Sequence, residues 1–366
     1  MSIPKVMFGT ASLGNLYAEP PYEEKKAVIK AVVDSAGDGV AVFDSAGKYG
    51  AGLALEVLGK CLEELDVAPE KVLISNKLAW KRVPLDPPGS EPTFEPGAWV
   101  NLKNDAVQDI SYQGIIDCFE NGNELLGKYD SGLGSVHDPD EYLKAAKDEA
   151  ELEKRRADVL GAYKALSELR DAGKVASIGV GAKDISAIEW IVDAGIKLDW
   201  AMFACSITPY SHGDVAKRLL KKLGAAGVDV INSAVFNGGF LTGGSFFDYR
   251  EVTPATDPEL FEWREKFNAI CADFGVKPAA VCVQVRMVLV VLAVLVVLML
   301  TLLLILLLLN SSAQFSFLFP EIKSIALATS RPARVASNIE LAEAVMPEGL
   351  WDKLQEAKLI DLSDPQ

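Results

Sequence analysis

Eight short apolar runs, most of them followed by a helical pattern, constrain this chain more than any other feature. They cover residues 5–10, 40–45, 72–78, 133–137, 176–181, 200–205, 228–235 and 322–329. Between them lie amphipathic patterns over 23–36, 53–65, 110–126, 160–172, 185–194, 214–226 and 258–274. A helix pair at 332–344 and 348–359 follows the last run. Gly37, Gly173, Gly195 and Gly227 stand just past helical runs, where a left-handed residue ends a helix. Eight strand–helix units predict an α/β chain folded as a (β/α)8 TIM barrel. The rival is a doubly wound sheet, which would normally carry a glycine-rich phosphate loop after an early strand. No G-x-G-x-x-G occurs.

Composition narrows the function classes. The chain has 366 residues and a formal net charge of −15, and no long basic cluster interrupts it. With a pI near 4.7 this argues against nucleic acid and against anionic membrane surfaces. The five cysteines are odd in number and lack C-x-x-C spacing, so they read as reduced intracellular thiols, with no metal site implied. The opening MSIPKVMFGTAS shows no basic stretch followed by an apolar one, and a cytoplasmic location is the expectation.

One stretch breaks the acidic, soluble pattern. Residues 285–314 hold 24 hydrophobic residues among 30, and they account for the positive mean hydropathy of +0.19. The run is long enough to span a bilayer. A single span, however, would leave the eighth strand on the opposite side of the membrane from the other seven, and the barrel could not close. Nor would a helix apolar on all sides find a place to pack. Excising the run joins Gln284 to Phe315 and restores a short helix-to-strand connection. Valine codons begin GT, glutamine can be CAG, and codons for Val, Leu, Ile and Met all carry T in the middle. The expectation is therefore one barrel over residues 1–366, interrupted at 285–314 by a retained intron or a gene-model error. A real insertion that meets a membrane or a partner helix is the alternative.

Polar residues at strand ends supply the chemistry. Asp44 ends the second run, and Tyr49 follows five residues later in Asp-Ser-Ala-Gly-Lys-Tyr-Gly. Lys77 ends the third, and His137 ends the fourth in Ser-Val-His-Asp-Pro-Asp. In a barrel these three strand ends share one mouth. A lysine there needs a counter-ion, which Asp44 can provide. A cation beside a tyrosine stabilises the phenolate and lowers its pKa, which suits proton exchange with a carbonyl oxygen. His137 can orient that oxygen. The set lacks an electron acceptor, so a redox reaction requires a bound cofactor. His212, in Pro-Tyr-Ser-His-Gly, reads as a loop residue.

Asp44, Tyr49, Lys77 and His137 resemble, in order and in strand context, the Asp/Tyr/Lys/His tetrad of the aldo-keto reductases. The segments Phe-Gly-Thr-Ala-Ser-Leu-Gly-Asn-Leu-Tyr, Ser-Val-His-Asp-Pro-Asp-Glu-Tyr and Ile-Asn-Ser-Ala-Val-Phe-Asn-Gly-Gly-Phe-Leu resemble its sugar-dehydrogenase branch. That branch contains D-threo-aldose 1-dehydrogenase, L-fucose dehydrogenase and L-galactose dehydrogenase. The resemblance implies NAD or NADP stretched across the barrel mouth. Gly9 and Thr10 would approach the nicotinamide, while Asn232, Ser233 and Val235 would run along the pyrophosphate. Ser330, Arg331, Arg334 and Asn338 would bind the adenosine half at a helix start. Asn15, Tyr17, Trp80, Phe236 and the Pro- and Gly-rich segment 81–109, read as an irregular packed lid, would line the substrate side.

Three positions depart from the family pattern. Gly181-Ala182 stands where many members have Ser-Asn, Ala204 where a Gln is usual, and Asn232 where a Tyr stacks on the ring. The implied activity is oxidation of an aldose at C1 to the aldonolactone, a small-molecule sugar being the partner. The alternatives are a general aldehyde or ketone reductase, a pyridoxal-type dehydrogenase, and a redox-sensing binding subunit without turnover.

Overall fold

The computed structural model describes residues 3–248, 250–283 and 316–365. Residues 285–314 thus lie outside the described residues, and the insertion reading with them. Eight strands form the barrel: β1 (Val6–Gly9), β2 (Ala41–Ala46), β3 (Val72–Leu78), β4 (Ser131–His137), β5 (Ser177–Ala182), β6 (Trp200–Ala204), β7 (Asp229–Ser233) and β8 (Ile322–Ala328). Every neighbouring pair is parallel, and β1 pairs both β2 and β8, so the sheet closes on itself. This is the (β/α)8 barrel that the eight runs predict.

Strand parity separates core from site. Met7, Val42, Leu133, Trp200, Met202, Ile231 and Ala326 form one cluster inside the barrel. Successive inward side chains stand two residues apart. Moving two residues at a time from Val42 reaches Asp44, and from Leu133 reaches Ser135 and His137. An apolar plug therefore gives way to polar groups toward the C-terminal mouth. Trp200 fits because Gly179 faces it: a Cβ there would lie 2.3 Å from the indole. The outward faces of the strands pack against the helices in two larger apolar clusters.

Two elements differ from the sequence reading. The helix before β5 runs Glu149–Asp171, a full eleven residues earlier than its apolar pattern begins. Its first turns carry charge instead of an apolar stripe. They are held by the Asp148 cap on the Glu151 amide and by the Glu151–Arg155 pair. The segment 81–109 is not irregular throughout. Trp80–Pro84 and Asn104–Gln108 pair antiparallel, with Trp80 opposite Gln108 and Val83 opposite Asp105. Between these strands the chain makes a strap whose Phe94 and Trp99 are buried with Trp80. Among the described residues no helix is long and apolar enough to cross a membrane.

Candidate active site

Register brings the four strand-end groups into one place. β2 aligns Ala46 with Lys77 of β3, β3 aligns Lys77 with Ser135, and β4 aligns His137 with Gly181. Lys77 Nζ reaches Asp44 Oδ2 at 2.6 Å, and both side chains are buried. The same ammonium lies 4.8 Å from the centroid of the Tyr49 ring. The His137 ring stands edge-on to Tyr49 at 5.8 Å. Tyr49 is placed by its backbone: a Cβ on Gly14 would meet the Tyr49 carbonyl carbon at 2.7 Å, so only glycine admits this approach. Gly181 does the same for the lysine, since a Cβ there would stand 2.9 Å from Lys77 Cδ. The departure at that position therefore makes room for Lys77.

The electrostatics differ from the expectation in one respect. Burial, reinforced by the Asp44 and Asp138 carboxylates, pushes the Tyr49 phenol well above its usual range. Lys77 is answered at close range by Asp44, so its charge does not dominate the phenol. Burial, with Lys77 and Lys48 close by, pushes His137 well below the usual imidazole range and leaves the ring neutral.

The group borders a cavity of about 670 Å³ at the barrel mouth. Gly9, Ser233, Val235, Arg334 and Asn338 line it, as do Tyr17 and Phe236. The other predicted positions do not line it. Thr10 is buried, with its hydroxyl on the Asp44 carbonyl and Ser45. Asn232 lies between two inward-facing positions and so faces outward, donating to the Ile207 carbonyl at 2.7 Å and to Ser316 Oγ. Ser330 and Arg331 are exposed and do not line the cavity. Asn15 ties Lys25 to the Val100 carbonyl. Trp80 lies beneath the ammonium of Lys48, 4.5 Å away. His212 lies apart from the cavity, with Nδ1 on the Thr208 carbonyl and Nε2 accepting from the Asp361 amide.

Sequence reading also missed a second set of charges in the same cavity. Lys48 is 3% exposed and meets Asp138 at 2.6 Å, Glu95 at 3.0 Å and Glu141 at 3.0 Å. Burial opposes its charge, but the three carboxylates together raise its pKa. A lysine next to a tyrosine in a turn reads as solvated, and its partners are distant in sequence, so only the fold reveals it.

Chemically the cavity has two halves. Asp44, Tyr49, Lys77 and His137 offer a proton donor or acceptor, a cation and a neutral orienting imidazole. Toward β7 and β8 the wall is small and apolar, with Ala204, Val235, Ala326, Leu327, Ala328, Gly238 and Gly239, and Arg334 at the far end. Arg334 lies in the first turn of the helix Ala333–Glu343, where backbone N–H groups add to its charge. Small walls beside one cationic helix start are chemically suited to a long, flat, anionic molecule. Among the described residues no cluster of His, Cys, Asp or Glu is placed to hold a metal.

Comparison with known proteins bears on the family and the fold. The chain is 27% identical to pyridoxal 4-dehydrogenase of Microbacterium luteolum, over 98% of this chain and 95% of that protein. It is 25% identical to D-threo-aldose 1-dehydrogenase of a Pseudomonas species over the same shares. Among solved structures, a glycerol dehydrogenase from Gluconobacter oxydans shares the fold, with a TM-score of 0.62 and 17% identity over 99% of this chain and 94% of that one. The holo form of an aldo-keto reductase from Bacillus halodurans also scores 0.62, at 15% identity over 98% and 93%. A sequence model described as the Aldo/keto reductase family matches residues 5–357, and the chain belongs to that family of NAD(P)H-using oxidoreductases.

Proposed function

We propose that the protein oxidises an aldose of the L-fucose, L-galactose or D-threo type at C1, giving the aldonolactone, with NAD or NADP. The observation that carries this reading is the buried Lys77–Asp44 pair beneath Tyr49, with neutral His137 at its edge. The relative that acts on D-threo-aldoses supports the substrate class. The nicotinamide, when bound, supplies the two-electron hydride acceptor. Gly9, Ser233, Val235, Arg334 and Asn338 would hold the cofactor.

The chain's own residues handle the proton. His137 hydrogen-bonds the C1 oxygen and fixes it toward Tyr49. Tyr49 Oη takes the hydroxyl proton as the C1–H bond breaks with its electron pair, leaving a C1=O double bond. In the reverse direction the same phenol donates. Lys77 steadies the phenolate, and Asp44 holds Lys77 in place. Because burial, reinforced by the neighbouring carboxylates, keeps the phenol protonated, oxidation gains from rising pH while reduction does not.

A second reading follows from the 27% identical relative, whose substrate is pyridoxal. The aromatic walls of Trp99, Tyr17 and Phe236 would suit a flat ring. Initial rates with L-fucose, L-galactose, D-arabinose and pyridoxal separate the two. We expect a sugar to be preferred, with kcat for oxidation rising through pH 9. Tyr49→Phe should lower kcat by about 10²–10⁴, the usual scale for lost acid–base catalysis, with cofactor affinity kept. A Tyr49→Phe enzyme as fast as wild type would remove the proposed mechanism. Tight cofactor binding with no turnover of any sugar or aldehyde would favour a sensor.

A further inference from the structure

The strap between residues 85 and 103 arches over the barrel mouth, and its two sides are fastened by different chemistry. Toward β1 the fastening is by uncharged hydrogen bonds, mostly backbone, with Asn15 Nδ2 also donating to the Val100 carbonyl. The Tyr17 amide donates to the Ala98 carbonyl at 2.7 Å, the Val100 amide donates to the Asn15 carbonyl at 3.1 Å, and Leu16 bridges Trp99. Toward β2 and β5 the fastening is ionic and converges on one carboxylate. Glu95 Oε1 lies 3.0 Å from Lys48 Nζ and 3.8 Å from Lys183 Nζ. Its other oxygen accepts from Trp99 Nε1 at 2.8 Å. Trp99 in turn packs against the Tyr49 ring at 5.9 Å.

The pairs in this network are not equal. Lys48 and Asp138 have side chains only 3% and 4% exposed and sit 2.6 Å apart. Breaking that pair would leave a buried charge without a partner. The Glu95 side chain is 33% exposed, and the backbone there is held at φ 44°. If Glu95 lets go, Lys48 keeps Asp138 and Glu141, Lys183 keeps Glu141 at 3.1 Å, and the barrel loses no core contact. The strap loses its ionic side and the Trp99 indole its acceptor, while the backbone bonds toward β1 and the Phe94–Trp99–Trp80 packing remain. Arg334 and the small residues of the β7–β8 side touch none of this.

We propose that Glu95 is a positioning residue, a latch that holds the strap and Trp99 across the substrate end of the cavity. It governs substrate capture and leaves the cofactor end unaffected. In its kinetic consequences the proposal rests on the dehydrogenase reading above; in its structural consequence it does not.

Hydrogen exchange of the full-length protein tests the latch without any substrate. Glu95→Gln keeps the size of the side chain and an acceptor for Trp99 but removes the charge. It should speed exchange of the amides over 94–101 about tenfold, the scale of losing one partly exposed charged contact, with the barrel strands unaltered. With the preferred sugar and saturating cofactor, KM should rise by a similar factor. The fall in kcat should be smaller, and cofactor affinity by fluorescence titration should not move. Lys183→Met should reproduce part of both effects. Raising NaCl from about 0.05 to 0.5 M should raise KM in the wild type more than in Glu95→Gln, because salt screens exposed pairs. Unchanged exchange over 94–101 overturns the latch, as does faster exchange with an unchanged KM. A uniform loss of stability and cofactor binding overturns it too. Should the wild type turn over no sugar, the dehydrogenase reading fails and the exchange result still decides the latch.

Discussion

The two halves of the barrel mouth are built on opposite principles. Around β2, β3 and β4 the charges face carbonyls, rings and one another at close range: Asp44 with Lys77, and Lys48 with Asp138, Glu95 and Glu141. Around β7 and β8 the described lining is mostly alanine, valine, leucine and glycine with Phe236; Ser233, Thr242 and Asn338 are its uncharged polar side chains and Arg334 its one charged one. Proton chemistry requires dipoles and charges fixed before substrate arrives. Holding a long flat molecule requires shape, and much of the binding surface is completed only by the ligand. The first half is therefore already assembled in the free chain. The second half is an outline.

The sharpest way to break this contrast is at the buried pair. Lys77→Met leaves the Asp44 carboxylate without its cation in a site where Asp44 is 3% exposed. Removing one partner of such a pair costs about 3–5 kcal/mol. Adding Asp44→Leu removes the orphaned charge, so the double variant should regain most of that stability while both remain inactive. Denaturant unfolding of the three proteins, read beside NAD(P)+ reduction, checks it. A double variant no more stable than the single would mean that the pair is not the source of the loss.

The same contrast governs what was legible in the sequence. Asp44, Lys77 and His137 could be found because each stands within the last three residues of a strand, and groups there share the mouth of a barrel. Parity also explains two misplacements. Asn232 sits between Ile231 and Ser233, and Thr10 follows Gly9, so each side chain turns away from the face its neighbours line. A count by twos along the strands would have shown this. No local signal reveals Glu95. Its ionic partners are 47 and 88 residues away, and an acidic residue in a loop ordinarily faces water. Of the positions expected to meet a cofactor, Gly9, Ser233, Val235, Arg334 and Asn338 line the cavity and the others do not, because apolar walls leave few chemical marks on a sequence.

Arg334 tests whether the second half works by shape plus one charge. Arg334→Ala should raise the cofactor Kd about tenfold, near 1.4 kcal/mol, the scale of one charge-assisted hydrogen bond. Sugar KM and the Tyr49-dependent pH profile should not change. Titrating NAD and NADP separately sharpens the result, since a loss confined to NADP would place the guanidinium at the 2′-phosphate. Equal kinetic damage at the substrate end would show that the two halves are coupled.

The smallest kinetic effect is expected from the largest change in sequence. On the cofactor side the chain leaves the described structure after Val283 and returns at Ser316, and the two flanks are in contact. Ser316 Oγ donates to the Cys282 carbonyl at 3.1 Å and accepts from Asn232. Val283 is fully buried with Val235, Ile325 and Leu327. The barrel is thus fastened on both sides of the gap by residues that do not belong to 285–314. Deleting 285–314, which joins Gln284 to Phe315, should leave kcat, KM and cofactor Kd unchanged. Shortening the connection between Val283 and Ser316 by that number of residues should also raise stability by about 1–3 kcal/mol, if the unfolded-chain entropy of closing it dominates. If the deleted protein unfolds or loses its cofactor, the stretch is part of the barrel and the interruption reading fails. Sequencing transcripts gives an independent answer, because an intron predicts spliced messages in which Gln284 and Phe315 codons are adjacent. A shorter protein with intact kinetics would place the whole reaction in the charged half and the outline that surrounds it.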